Sequence, residues 1–253
     1  MTIVYAIIML LILIFVHEIG HLVSAKLTGI RVNEFALGMG PRLGGFVRGE
    51  TKYSFRLIPF GGYCAMEGED EDSEDPRGFN NKPARVRALV LFAGSIMNIL
   101  LAIVLLAMLI FSIGPNTIGF FFESFAYGAK STVTLMQMMY EVLGGLVTGQ
   151  QGVDQLTGPV GIVMAVGETA QYGFFYLVQL TALISLNLGI VNLLPFPALD
   201  GGRLIFLLIR KITGRAITNE VEGRVHLIGI CVLFAFMALI TFQDIDRFFI
   251  NKG

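Results

Sequence analysis

Cysteine occurs only twice in this chain, and Cys64 and Cys231 lie too far apart for any metal-ligand spacing. That scarcity argues against a disulfide framework and leaves two inert or buried thiols. Charge is scarce as well: 15% of the 253 residues are charged, against about a quarter in a typical soluble domain. The formal net charge of −1 brings no concentrated basic surface, so nucleic acid is excluded as a partner. The amino terminus has no basic stretch ahead of its apolar run. A retained membrane helix is therefore expected there, not a cleaved signal peptide. No internal repeat is visible.

What the chain has in quantity is apolar sequence, with 55% of residues hydrophobic. A membrane span needs about 20 such residues. Stretches of that kind run over about 3–25, 86–113, 174–194 and 225–243, which predicts a mainly α, polytopic membrane protein forming a single domain over 1–253. Lysine and arginine orient the spans. They crowd 26–85 (Lys26, Arg31, Arg42, Arg48, Lys52, Arg56, Arg77, Lys82, Arg85) and recur at Arg203, Arg210, Lys211, Arg215 and Arg224, whereas 114–173 holds only Lys130. The first two regions are expected on the cytoplasmic side, and 114–173 with both termini outside. Residues 30–63 are rich in glycine and β-formers and predict short strands or hairpins at the membrane interface. The block 67–75 carries seven acids in nine positions and predicts a solvated, flexible loop. Apolar residues at helical spacing (Val133, Met136, Tyr140, Leu143) predict an external amphipathic segment over about 125–170.

Inside the first span stands Phe15-Val16-His17-Glu18-Ile19-Gly20-His21. Histidines four apart project from one helix face, imidazole suits zinc, and the intervening glutamate is placed to act on a metal-bound water. Ionisable groups at membrane depth are costly and functional by default. A catalytic site needs a third protein ligand. Asp200 stands out, just past the proline-broken end of the third span in Asn192-Leu-Leu-Pro195-Phe-Pro197-Ala-Leu-Asp200-Gly201-Gly202, on the same side as the histidines. The alternative for Asp200 is a helix N-cap on residues 201–212. His226 lacks a partner one turn away and is expected at the interface. Asn98, Asn187 and Asn192 are amides in apolar helices, ordinarily used for helix–helix hydrogen bonds. Asn192, at the helix break, is the better candidate to hold a substrate carbonyl, and Asn187 is the second candidate.

These stretches, together with Phe35-Ala-Leu-Gly38-Met-Gly40-Pro41 and Arg56-Leu-Ile-Pro59-Phe-Gly61-Gly62-Tyr63, resemble the site-2 protease family, closest to the bacterial proteases that regulate sigma-E-type signalling. The resemblance implies zinc held by His17, His21 and Asp200, with Glu18 as general base. It implies cleavage of single-pass membrane proteins, such as an anti-sigma factor or signal-peptide remnants, in a bacterial inner or plasma membrane. It also implies a membrane-associated β-hairpin, over residues 31–60, beside the active site. Members usually carry one or two PDZ domains between the second and third spans, and this chain has no room for one there. Ser95 stands where the family often has proline. The expectation is a zinc-dependent intramembrane endopeptidase with its site toward the cytoplasm. The rival is a membrane metal transporter or metal-binding membrane protein that uses the same side chains as a transit site, which paired inverted halves would support; none is visible.

Overall fold

A computed structural model describes residues 2–150, 152, 156–213 and 218–250. Arg215, one of the cations used to orient the chain, and residues 151 and 153–155 of the expected external segment lie outside the described residues. Four helices are long and apolar enough to cross a membrane: Thr2–Leu27, Ala84–Ile113, Phe174–Val191 and Glu220–Ile250. The first three are α1, α2 and α5; the fourth comprises α7 (Asn219–Ile245) and a π-helical turn over Asp246–Ile250. Their large side chains are exposed along much of their length, Ile3, Ile8, Leu100 and Phe234 among them, as a lipid-facing surface requires. This is a multi-pass membrane protein.

By its contacts the chain divides into two compact units. One holds Met1–Ala6, Ile99–Asn187 and Cys231–Gly253. It includes α3 (Ile118–Val147), which starts at the Thr117 cap, and α4 (Pro159–Tyr172), with proline in its first turn. Helix α3 runs close against α2 at Gly128, where a Cβ would stand 2.8 Å from the Ile103 carbonyl oxygen. Asp244 of α7 is buried and accepts a hydrogen bond from Gly161 N at 2.8 Å, in the first turn of α4, where the backbone N–H groups have no helical partner. The expected amphipathic segment at 125–170 is thus two helices, the first beginning near 118.

The other unit, Ile7–Asn98 with Leu188–Ile230, carries the small sheet. Strands β1 (Val32–Arg48) and β2 (Thr51–Met66) are long and bent, so they pair with each other in three separate stretches. Residues 44–48 run antiparallel to 51–55 (Arg48↔Thr51 to Gly44↔Phe55). The same 51–55 stretch runs parallel to 34–37 (Glu34↔Lys52 to Leu37↔Phe55). Finally 32–37 pairs antiparallel with 62–66 (Val32↔Met66, Leu37↔Gly62). The order across the sheet is therefore 44–48, 51–55, 32–37, 62–66, with 62–66 as an edge. The bends fall at Gly38, Gly40 and Gly61, all at positive φ, where a side chain would be strained. Val32, Phe35, Cys64 and Met66 form a buried cluster with Ala25, Val90, Leu91 and Leu207, which holds the sheet against α1, α2 and α6 (Asp200–Thr213). The far end of the sheet exposes Leu43, Phe46, Val47, Phe55 and Leu57.

Two expectations need correction. Helix α5 ends at Val191 and not at 194, because Pro195 disfavours a helical residue before it and the last turn tightens through Leu193 N to Ile190 O and Leu194 N to Val191 O. The acidic block is not simply solvated: Glu67 accepts from Ser73 Oγ and Asn33 Nδ2, and Glu69 is sheltered beside Arg203. Neutral donors hold Glu67, and the Arg203 guanidinium on α6 draws Glu69 inward.

Candidate metal centre

His17 and His21 lie on α1 one turn apart and are both buried, with their Nε2 atoms 3.3 Å from each other. Asp200 opens α6 after the loop 192–199. Its Oδ2 is 3.2 Å from His17 Nε2 and 3.3 Å from His21 Nε2, and it makes no hydrogen bond. The chain turns sharply to bring it there. Ala198 adopts φ +83°, and its N–H donates to His226 Nδ1 at 3.1 Å, while Gly201 N donates to Asn192 O at 2.8 Å. Gly229 of α7 lets Pro197 approach, since a Cβ there would be 2.5 Å from the proline ring.

The protonation pattern decides what this cluster can do. His21 Nδ1 donates to the Val90 carbonyl oxygen at 2.9 Å, so in the neutral ring Nε2 carries a lone pair. His17 Nε2 faces the Asn192 amide nitrogen at 3.5 Å, which also calls for a lone pair there. Its Nδ1 faces the Asn98 amide nitrogen at 3.5 Å, so the proton on this ring depends on which way the two amides are turned. Three atoms that can each offer a lone pair thus converge, an arrangement that a cation satisfies. His17, His21 and Asp200 each offer one such atom, and all three lie within 4.8 Å of one another. Gly94 of α2 completes the cradle: a Cβ there would stand 2.3 Å from His21 Nε2 and 2.8 Å from His17 Nε2. Two imidazoles and a carboxylate form a donor set that fits zinc.

Glu18, also buried, lies on the neighbouring face of α1 and touches the edge of the sheet, where a Cβ on Gly62 would be 3.1 Å from Glu18 Cγ. A cavity of about 540 Å³ opens here, lined by His17, Glu18, His21, Asn192, Asp200 and the whole 61–66 edge. Glu69, Arg203 and His226 border it as well. Burial pushes the Cys64 thiol in its wall up, which keeps it protonated. Asn187 is exposed on α5 and is not among the lining residues. Sequence reasoning missed three residues here. His226 supports the Asp200 loop, Arg203 holds acids, and Gly94 gives the imidazoles room. The Gly-Ser break in the apolar run at 94–95 is the one sequence signal that pointed to such a close approach.

The model of peptidase family M50 matches residues 5–236. Among curated relatives, a Clostridium acetobutylicum protein, provisionally named a zinc metalloprotease, is 32% identical over 96% of this chain and 97% of its own length. The zinc metalloprotease RasP of Bacillus licheniformis is 28% identical, over 94% of this chain and 97% of its own length. The regulator of sigma-W protease RasP of Bacillus subtilis is 28% identical, over 94% and 96%. These alignments are longer than the chain itself, so each relative contains residues with no counterpart here. With paired histidines, an aspartate and a glutamate at one cavity and a family match over nearly the whole chain, the protein belongs to peptidase family M50.

Proposed function

We propose that this protein is a zinc-dependent intramembrane endopeptidase whose metal is held by His17, His21 and Asp200, with Glu18 as general base. The observation that carries the proposal is the convergence of three potential ligand atoms, two imidazole nitrogens and a carboxylate oxygen, in a cavity whose wall is a sheet edge. Zinc bound there supplies Lewis-acid polarisation of the scissile carbonyl and lowers the pKa of a water. With the metal in place, Glu18 would take up the proton of the attacking water and hand it to the leaving amine. Asn192, whose amide already faces the centre, steadies the carbonyl oxygen of the substrate.

A helical substrate hides its carbonyls in hydrogen bonds and must unwind first. The edge at 62–66 pairs with 32–37 on one side only among the described residues, so its other side suits strand addition by an unwound peptide. This places the receiving edge a few residues beyond the 31–60 stretch expected from sequence. The apolar far end of the sheet is suited to the membrane interface. The substrate class is single-pass membrane proteins or signal-peptide remnants; a relative named regulator of sigma-W protease makes an anti-sigma factor the first candidate. The setting is a bacterial plasma membrane. The cation-rich 26–85 region points to a cytoplasmic-side site with both termini outside. The transporter alternative is disfavoured by membership of a peptidase family.

Wild type and Glu18→Gln, compared for zinc content and for cleavage of a model membrane helix, test this. Both should bind zinc, and the variant should lose cleavage by about 10²-fold or more. Cleavage by the variant at the wild-type rate would overturn the role of Glu18. Wild type that binds zinc yet cuts no member of a substrate panel would overturn the peptidase reading.

A further inference from the structure

The acidic block has no part in the chemistry above, yet two of its residues turn toward the helix that bears Asp200. Arg203 lies three residues after Asp200, on the same side of α6. Its guanidinium reaches Glu69 Oε1 at 3.0 Å and Asp70 Oδ1 at 2.7 Å. The Arg203 and Glu69 side chains are 15% and 13% exposed, whereas that of Asp70 is 74% exposed. The first pair is sheltered and the second is a surface contact. Solvent screens the second strongly and the first much less.

Glu69 also faces the other way. Its Oε2 accepts from Met66 N at 3.4 Å, at the last residue of the sheet edge, and Asn80 Nδ2 donates to its carbonyl oxygen at 3.1 Å. One carboxylate therefore ties the end of the 62–66 edge to the helix that carries Asp200, and both Glu69 and Arg203 line the cavity. The edge opens on Gly61 and Gly62, glycine-rich strand sequence specifies register weakly, and side chains alternate with a period of two. An edge that receives a peptide beside a fixed metal must not slip, because the slip would bring a different carbonyl to the reacting position.

We propose that Arg203, acting through Glu69, is a positioning residue that sets the register of the 62–66 edge against the metal-bearing helix and so selects which peptide bond is cut. This rests on the proposed addition of substrate to that edge. Asp70 adds a screened contact and is not required.

The test uses the full chain in liposomes, with a model membrane-helix substrate. Zinc content, kcat, KM and the masses of the products are measured for wild type, Glu69→Gln, Asp70→Asn and the charge-exchanged pair Glu69→Arg with Arg203→Glu. Hydrogen exchange of the 62–66 amides is followed without substrate, a readout that needs no activity. Glu69→Gln should keep its zinc, raise KM about tenfold, speed exchange at 62–66, and add products displaced by two residues. Asp70→Asn should match wild type, and the exchanged pair, which keeps the charges but leaves Met66 N without its acceptor, should not restore the single cut. Unchanged exchange and an unchanged cleavage position in Glu69→Gln would overturn the inference, as would lower activity at the same bond with the same KM. Failure of the underlying reading looks different: Ala65→Pro, which disrupts the edge, would then leave KM and the cleavage position at wild-type values.

Discussion

Gly94 and His21 approach so closely that a single methyl group at residue 94 would stand 2.3 Å from the imidazole Nε2. The backbone of α2 forms one wall of the metal centre, and the absence of a side chain there is what admits both rings. The neighbouring Gly20 works in the opposite direction, lying where a Cβ would meet the Ala93 carbonyl oxygen at 2.4 Å. Two glycines on facing helices let α1 and α2 meet at the histidines, as small residues do at membrane helix contacts generally.

Gly94→Ala is therefore expected to weaken zinc binding at least tenfold, within the range seen when support around metal ligands is lost, although every ligand remains. Titration against a chelator of known affinity measures it. Wild-type affinity in the variant would show that the helices can part at little cost.

Asn98 is fully buried, with its amide 3.5 Å from His17 Nδ1. If Nε2 of that ring holds the metal, Nδ1 carries the proton and the amide must present its oxygen; oxygen and nitrogen of an amide are assigned by such networks. Asn98→Asp retains an acceptor and should keep zinc affinity, while Asn98→Leu should lower it by about 10–100-fold. If aspartate fails as badly as leucine, the amide acts as a donor and the tautomer assigned to His17 is wrong.

Glu34 holds the sheet together on its polar side. Burial raises its carboxyl, but hydrogen bonds from Ser54 and Arg56 outweigh this and hold it below the ordinary carboxylate range. A depressed folded value means that the stabilisation is present above the unfolded pKa and is lost as pH falls through the folded one. Protection of the amides at 32–37, taken relative to the intrinsic exchange rate at each pH, should fall on acidification below that range in wild type, and should fall less in Glu34→Gln. Equal pH profiles for the two would remove Glu34 from this role.

The spans were legible because lipid imposes a length and a composition, and both are local properties of sequence. The pairing of His17 with His21 was legible for a similar reason, since helix geometry puts residues four apart on one face. Asp200 stood out because charge and proline breaks are rare in such sequence, but its distance from the histidines depends on the turn at Ala198, which His226 supports from α7. Nothing local to residue 226 reveals that contact. The acidic block misled for the same reason: like charges at that density predict solvation unless a cation comes from elsewhere, and Arg203 does.

By itself the sequence determined which segments enter the membrane and that a histidine pair with a glutamate sits within the first of them, because hydrophobic length and helical periodicity are written in neighbouring residues. Tertiary structure alone decided that 62–66, and no other stretch of the two bent strands, forms the cavity-facing edge. It also decided that Gly94 faces the imidazoles and that Glu69 meets Arg203. Those relations arise from packing between segments far apart in the chain, where close approach depends on the shapes of both partners and no local pattern encodes the match.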